Sequence, residues 1–118
     1  MATVEELMRS NLLGVFNERD AGPRRDAIAR TYTPDVTFSD PDSTVTGPDE
    51  IDAKARGLLD GAPGFEFVPD GPVRVAADLG QLGWGFGPPG QPPVVRGVDI
   101  ALVAHGRITR LWTLLLTG

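Results

Sequence analysis

Two hydrophobic periods divide the chain. Over residues 3 to about 19, Val4, Leu7, Met8, Leu12, Val15 and Phe16 recur at spacings of three and four, which predicts an amphipathic helix. Thr3 and Glu6 can cap its start reciprocally. A shorter helix is predicted from Pro23, because proline suits a first helical turn. It should end at Thr33-Pro34, since the residue before a proline resists helical geometry. Residues 36–40 then read as a short strand closed by Pro41, with residues 43–46 able to pair with it as a hairpin. Gly47-Pro48-Asp49-Glu50 opens a third helix, with acidic residues where the helix dipole favours them. Ile51, Ala55, Leu58 and Leu59 form its apolar stripe, and Gly61-Ala62-Pro63-Gly64 stops it.

From Phe65 onward the pattern becomes strands separated by turn residues. Strands are predicted over 65–76, 81–87, 94–104 and 108–116. The turns between them are Ala77 to Gly80, the segment from Gly87 to Pro93, and the tight pair His105-Gly106. Pro72 demands an edge or a bulge. The Gly87–Pro93 segment reads as a stiff hairpin loop or as a lid over a pocket, and its prolines favour the stiff reading. Helices followed by a meander of strands predict an α+β fold. A curved, mostly antiparallel sheet wrapped over three helices would enclose an internal pocket.

Composition narrows the chemistry. The 118 residues suit one domain spanning 1–118, and 41% hydrophobic content suits a packed core. A net charge of -5 disfavours a nucleic-acid partner. Lys54 is the only lysine, and Arg24-Arg25 is flanked by Asp20 and Asp26. The absence of cysteine excludes thiolate chemistry, and His105, the single histidine, excludes a multi-histidine metal site within the chain. His105 precedes Gly106 in a predicted turn and reads as an exposed turn residue. The first residues lack the basic and apolar regions of a signal peptide, and no apolar run approaches membrane-spanning length. A cytoplasmic protein without a membrane partner is the expectation.

Two aspartates stand out. Asp40 falls on the same predicted strand face as Val36 and Phe38, and Asp99 falls inside a late strand beside Val95, Gly97, Ala101 and Val103. Burial disfavours the charged form and raises a carboxyl's pKa, which makes it a usable acid or base near neutrality. Each has a plainer reading. Asp-Pro dipeptides initiate turns, so Asp40 could cap one. Asp99 could be a buried ion-pair partner of Arg74, Arg107 or Arg110. Trp84 and Phe86 share one strand face, and Trp112 shares another with Arg110 and Leu114. All three serve either as core or as walls for a flat apolar ligand. Gly83 and Gly85 leave Trp84 without cover, which suits a pocket mouth.

The run Tyr32-Thr33-Pro34-Asp35-Val36-Thr37-Phe38-Ser39-Asp40-Pro41, the helix start Gly47-Pro48-Asp49-Glu50-Ile51 and the terminal stretch from Val98 to Trp112 occur in an order that resembles the NTF2-like superfamily. Within it the chain resembles the SnoaL-like and ketosteroid isomerase-like branch. The resemblance spans nearly the whole length, and Gly71-Pro72-Val73-Arg74 is also similar to a stretch of ketosteroid isomerases. It implies an NTF2-like cone and a cofactor-independent isomerase or cyclase acting next to the carbonyl of a planar apolar compound, such as a steroid or polyketide. It also implies Asp40 as general base and Asp99 as a protonated hydrogen-bond donor to the enolate oxygen. Leu12 stands where the family's oxyanion tyrosine is expected. Losing one such donor costs on the order of a hundredfold or more in rate. Tyr32, the only tyrosine, is the candidate stand-in. Trp84, Phe38, Phe86 and Trp112 would hold the rings.

Leu12 equally supports a non-catalytic domain that binds a small apolar ligand or a partner. The resemblance, with the apolar run from Leu111 to Leu116, implies a homodimer through the outer sheet face. An epoxide-hydrolase-like pairing of Arg96 with Asp99 is disfavoured, because a spacing of three puts them on opposite faces of a regular strand. No metal or organic cofactor is called for by enolate chemistry run on hydrogen bonds alone.

Overall fold

The computed structural model describes residues 1–116. Helix α1 (Val4–Arg9) starts at the predicted capping box: the Thr3 hydroxyl accepts from the Glu6 amide, and the Glu6 carboxylate accepts from the Thr3 amide. The predicted long helix does not stay α. Ser10–Phe16 continues it as a π-helical segment and ends it before residue 19. Two buried rows, Leu7–Asn11–Val15 and Met8–Leu12–Phe16, have a spacing of four, which suits a turn wider than 3.6 residues.

Helix α2 (Ala21–Thr31) begins two residues before Pro23. Its buried Arg24 meets Asp52 of α3 (Pro48–Asp60) at 2.7 Å. Arg24 also donates to the carbonyls of Glu18 and Arg19, so the buried charge is both paired and hydrogen-bonded. Arg19 donates to the carbonyls of Leu59, Ala62 and Phe65, which ties down the turn after α3.

Strand β1 (Tyr32–Ser39) starts four residues earlier than the apolar pattern predicts. Tyr32 pairs with Ile108 of β6 (Arg107–Leu115), and a register shift between Tyr32 and Thr37 accommodates Pro34. Asp40 therefore lies just beyond the strand. The short β2 (Thr44–Thr46) forms the predicted hairpin with β1. Strands β3 (Glu66–Ala76), β4 (Leu79–Gly87) and β5 (Val95–Ala104) complete a six-stranded sheet in the order β2-β1-β6-β5-β4-β3. Only the β1–β6 pair is parallel. The fold is the expected α+β cone, with the helices on the concave face of a curved open sheet.

Pro72 lies on edge strand β3, within the register shift between Asp70 and Arg74. His105 and Gly106 have φ of 57° and 74°, the mirror-image turn that fits the twist of the β5–β6 hairpin. The core lies between helices and sheet, and Met8, Val15, Val36, Ile51, Ala101 and Ile108 are wholly buried there. No helix among the described residues is long and apolar enough to cross a membrane.

Candidate active site

The concave face leaves one apolar cavity of about 280 Å³. That volume is at the small end of ligand pockets. Four elements build most of its walls. The π segment contributes Leu12 and Phe16, β1 contributes Phe38, and β3 and β4 contribute Phe67, Trp84 and Phe86. The aromatic rings support one another: Phe67 meets Trp84 edge-on at 5.1 Å and Phe86 at 4.3 Å. Leu58, Val95 and Leu115 add aliphatic wall.

Three carboxyls line this cavity, Asp99, Asp40 and Asp42. Strand alternation turns Asp99 inward, where it is 5% exposed. Its Oδ1 accepts from Trp84 Nε1 at 3.0 Å and from Thr113 Oγ1 at 2.7 Å. Its Oδ2 accepts from Asn11 Nδ2 at 3.0 Å. Thr113 is the cross-strand partner of Asp99, and Trp84 reaches it diagonally because its own partner is Gly97. A Cβ at Gly97 would stand 2.3 Å from the Trp84 ring, so only glycine lets the indole lie across β5. Burial raises the Asp99 carboxyl to about 6, against three donors that pull it down. The plainer reading of Asp99 as an arginine's partner is replaced by these three neutral donors.

Asp40 is built differently. Its Oδ1 accepts from the amides of Asp42 and Ser43, both at 2.9 Å, which closes a turn after β1. Its Oδ2 accepts from Lys54 Nζ of α3 at 3.0 Å, and Lys54 also donates to Ser43 Oγ at 2.7 Å. Partial burial raises this carboxyl, but the Lys54 ammonium and the two amides outweigh it and hold it below the usual carboxylate range. The raised pKa expected for Asp40 is thus overturned, because a cation fourteen positions along the chain sits against it.

Of the residues singled out in the sequence, Leu12, Phe38, Asp40, Trp84, Phe86 and Asp99 line the cavity. Trp84 is not at the mouth, as its flanking glycines suggested, but buried against Asp99. Tyr32 lies behind the wall at 2% exposure, where its hydroxyl donates to Asn11 Oδ1. It does not reach the cavity and cannot replace an oxyanion tyrosine there. Trp112 pairs with Ile100 on the opposite sheet face and stacks under Arg110 at 5.0 Å, so it holds no ligand in the cavity. The Gly87–Pro93 loop borders a separate groove, and none of its residues lines the cavity. Arg96 and Asp99 remain on opposite faces of an unbroken β5 register.

The residues missed were Asn11, Lys54 and Thr113. Asn11 had a signal, as a polar residue inside an apolar helical row. No cluster of three metal-ligating side chains occurs among the described residues.

A helix-backed sheet curled around an apolar cavity with a buried carboxyl is an NTF2-like cone. The chain belongs to the SnoaL-like domain family, whose model matches residues 10–111. A presumed isomerase of the SnoaL-like family from Agrobacterium tumefaciens superposes with a TM-score of 0.85 at 23% identity, covering 92% of this chain and 93% of that one. A presumed SnoaL-like polyketide cyclase from Jannaschia sp. CCS1 gives 0.72 at 21% identity, covering 98% and 90%. A presumed ketosteroid isomerase from Kribbella flavida gives 0.73 at 14% identity, covering 98% and 78%. No curated protein matches the chain.

Proposed function

We propose that this protein is a cofactor-independent isomerase or cyclase that moves a proton next to the carbonyl of a planar apolar compound, with Asp99 as the proton-transferring group. One observation carries the reading: a buried carboxylate, poised near neutral pH, faces a largely apolar cavity. With its carboxyl raised to about 6, it binds a proton far more readily than an ordinary carboxylate. Oδ1 already has two donors and Oδ2 one, so the free acceptor position is on Oδ2.

Asp99 takes the proton from the carbon beside the carbonyl. Returning it further along the conjugated system gives isomerisation; attack of the enolate on a second carbonyl gives ring closure. Lys54 lines the same cavity and supplies the positive charge against which the enolate oxygen develops, with Asp40 and Ser43 holding its ammonium. Asp99 thereby takes the base role that the resemblance gives to Asp40, because Asp40 is the weaker base of the two. A steroid- or polyketide-like ligand and a homodimer through the outer sheet face complete the reading. Val98, Ile100, Trp112 and the half-exposed Leu114 put apolar groups on that face beside Arg96 and Arg110.

The test follows the ultraviolet absorbance of a β,γ-unsaturated ketosteroid. Conversion to the conjugated ketone that is lost in Asp99→Asn and retained in Asp40→Asn is the expected result. Loss in Asp40→Asn alone would return the base to the rim. Binding without turnover would favour a second reading, an apolar-ligand-binding domain. Leu12, which puts a methyl-bearing wall where an oxyanion donor is expected, supports that alternative.

A further inference from the structure

The hydrogen-bond chain that ends on Asp99 begins behind the cavity wall. Tyr32, at the start of β1, donates its hydroxyl to Asn11 Oδ1, and Asn11 donates from Nδ2 to Asp99 Oδ2 at 3.0 Å. Asn11 is 0% exposed, and neither residue lines the cavity. The π segment delivers Asn11 to this place, and such widened turns are frequent at functional sites.

A carboxamide can present either its oxygen or its NH2 group to a neighbour, and a phenol can donate or accept. Two arrangements are therefore open, and only the first uses the phenol hydrogen. In the first, the phenol donates to the amide oxygen and the NH2 donates to an ionised Asp99. In the second, the amide is turned over, the phenol accepts from NH2, and the amide oxygen faces Asp99. That second arrangement requires a proton on Asp99 Oδ2. Burial and the Asp99 charge hold the Tyr32 phenol well above its ordinary range, so it is always neutral and always has a hydrogen to give.

We propose that Asn11 is a positioning residue for Asp99, its amide oriented by the Tyr32 hydroxyl so that the carboxyl is held as an acceptor with its free position toward the ligand. The catalytic consequence rests on the proton-transfer reading above; the orientation itself does not. When Asp99 takes up a proton, the turned-over arrangement becomes competitive, and the amide follows the charge of the carboxyl. The groups facing Asp99 are Asn11 from the π segment, Trp84 from β4 and Thr113 from β6, all neutral. Tyr32 stands behind Asn11, and the charged groups elsewhere on the cavity wall are Asp40, Asp42 and Lys54.

The experiment uses the ligand-free protein. The Asp99 side-chain carboxyl and the Asn11 side-chain amide are followed by nuclear magnetic resonance across pH 4–8. In the wild type both should titrate with one midpoint. Tyr32→Phe keeps the ring and removes the hydroxyl, and should raise that midpoint by about one pH unit, a roughly tenfold gain in proton affinity. Asn11→Leu should raise it at least as far, and adding Tyr32→Phe to Asn11→Leu should change nothing more. Equal shifts from Tyr32→Phe in both backgrounds would overturn the proposal, since Tyr32 would then act without Asn11. An unmoved midpoint in Tyr32→Phe would also overturn it. Should a variant fail to fold, the wild type still decides: Asn11 amide resonances that ignore the Asp99 titration would sink the idea. No substrate is needed, so absent turnover refutes the proton-transfer reading alone, and additive shifts refute this one alone.

Discussion

The floor and the rim of one cavity treat the same functional group in opposite ways. Asp99 at the floor meets three neutral donors and is driven up by burial, whereas Asp40 at the rim meets an ammonium and two backbone amides and is driven down. Asp99 is wholly shielded from water and Asp40 only partly, so depth of burial separates them. So does the full positive charge that compensates Asp40 alone. Three neutral hydrogen bonds do not offset the cost of placing a carboxylate among Phe67, Trp84 and Leu12, but one cation with two amides does so at a site that keeps some solvent.

The largest expected break in this comparison is kinetic. Asp99→Asn should reduce turnover at least a hundredfold, while Asp40→Asn should stay within about tenfold of the wild type, read as kcat/KM on the same ketosteroid. Equal losses would erase the distinction between floor and rim.

The second is the pH dependence of stability, where the two carboxyls have opposite signs. Asp99 has a folded pKa of about 6 against an ordinary 3.8, so the folded state holds its proton more tightly. Its contribution is fully present below pH 3.8 and is lost as pH rises through about 6, a difference of about 3 kcal/mol at roughly 1.4 kcal/mol per unit. Asp40 contributes stability above its ordinary pKa that is lost as pH falls through its lowered folded value. Urea titrations from pH 4 to 8 should show the Asp99 trend in the wild type and its absence in Asp99→Asn.

Gly97→Ala sharpens the floor alone. The added methyl collides with the Trp84 ring and drives the indole away from Asp99. Overpacking of this kind costs about 1–3 kcal/mol, to be read from the urea midpoint. Smallest is Lys54→Met at the rim. It should cost within about 1 kcal/mol, since the pair is partly exposed, and should raise the Asp40 carboxyl in a carbon-detected titration.

Much of the cone was legible because it rests on periodicity. The apolar rows announced the helices, alternation announced β3 to β6, and His105-Gly106 announced the last turn. The start of β1 was not legible, because Tyr32 joins the sheet through a parallel partner 76 positions away rather than through local preference. Alternation also sorted Trp84 and Trp112 onto different faces without saying which face encloses the cavity. The partner of Asp40 was hidden because a lysine on a helix reads as a solvated residue, and only the packing of α3 against β1 brings it to the rim. Asn11 was hidden because counting apolar residues passes over the one polar member of a buried row.

The clasp at the rim has a consequence for labelling. Every other side-chain cation in this protein is an arginine, so Lys54 carries the only ε-amine, and it stands at the cavity entrance. Amine-selective reagents thus address one side chain and the chain's own amino terminus. A dye, a spin label or a surface tether placed there would report directly on what enters the cavity. A bound ligand that covers the entrance would in turn shield Lys54 from that chemistry.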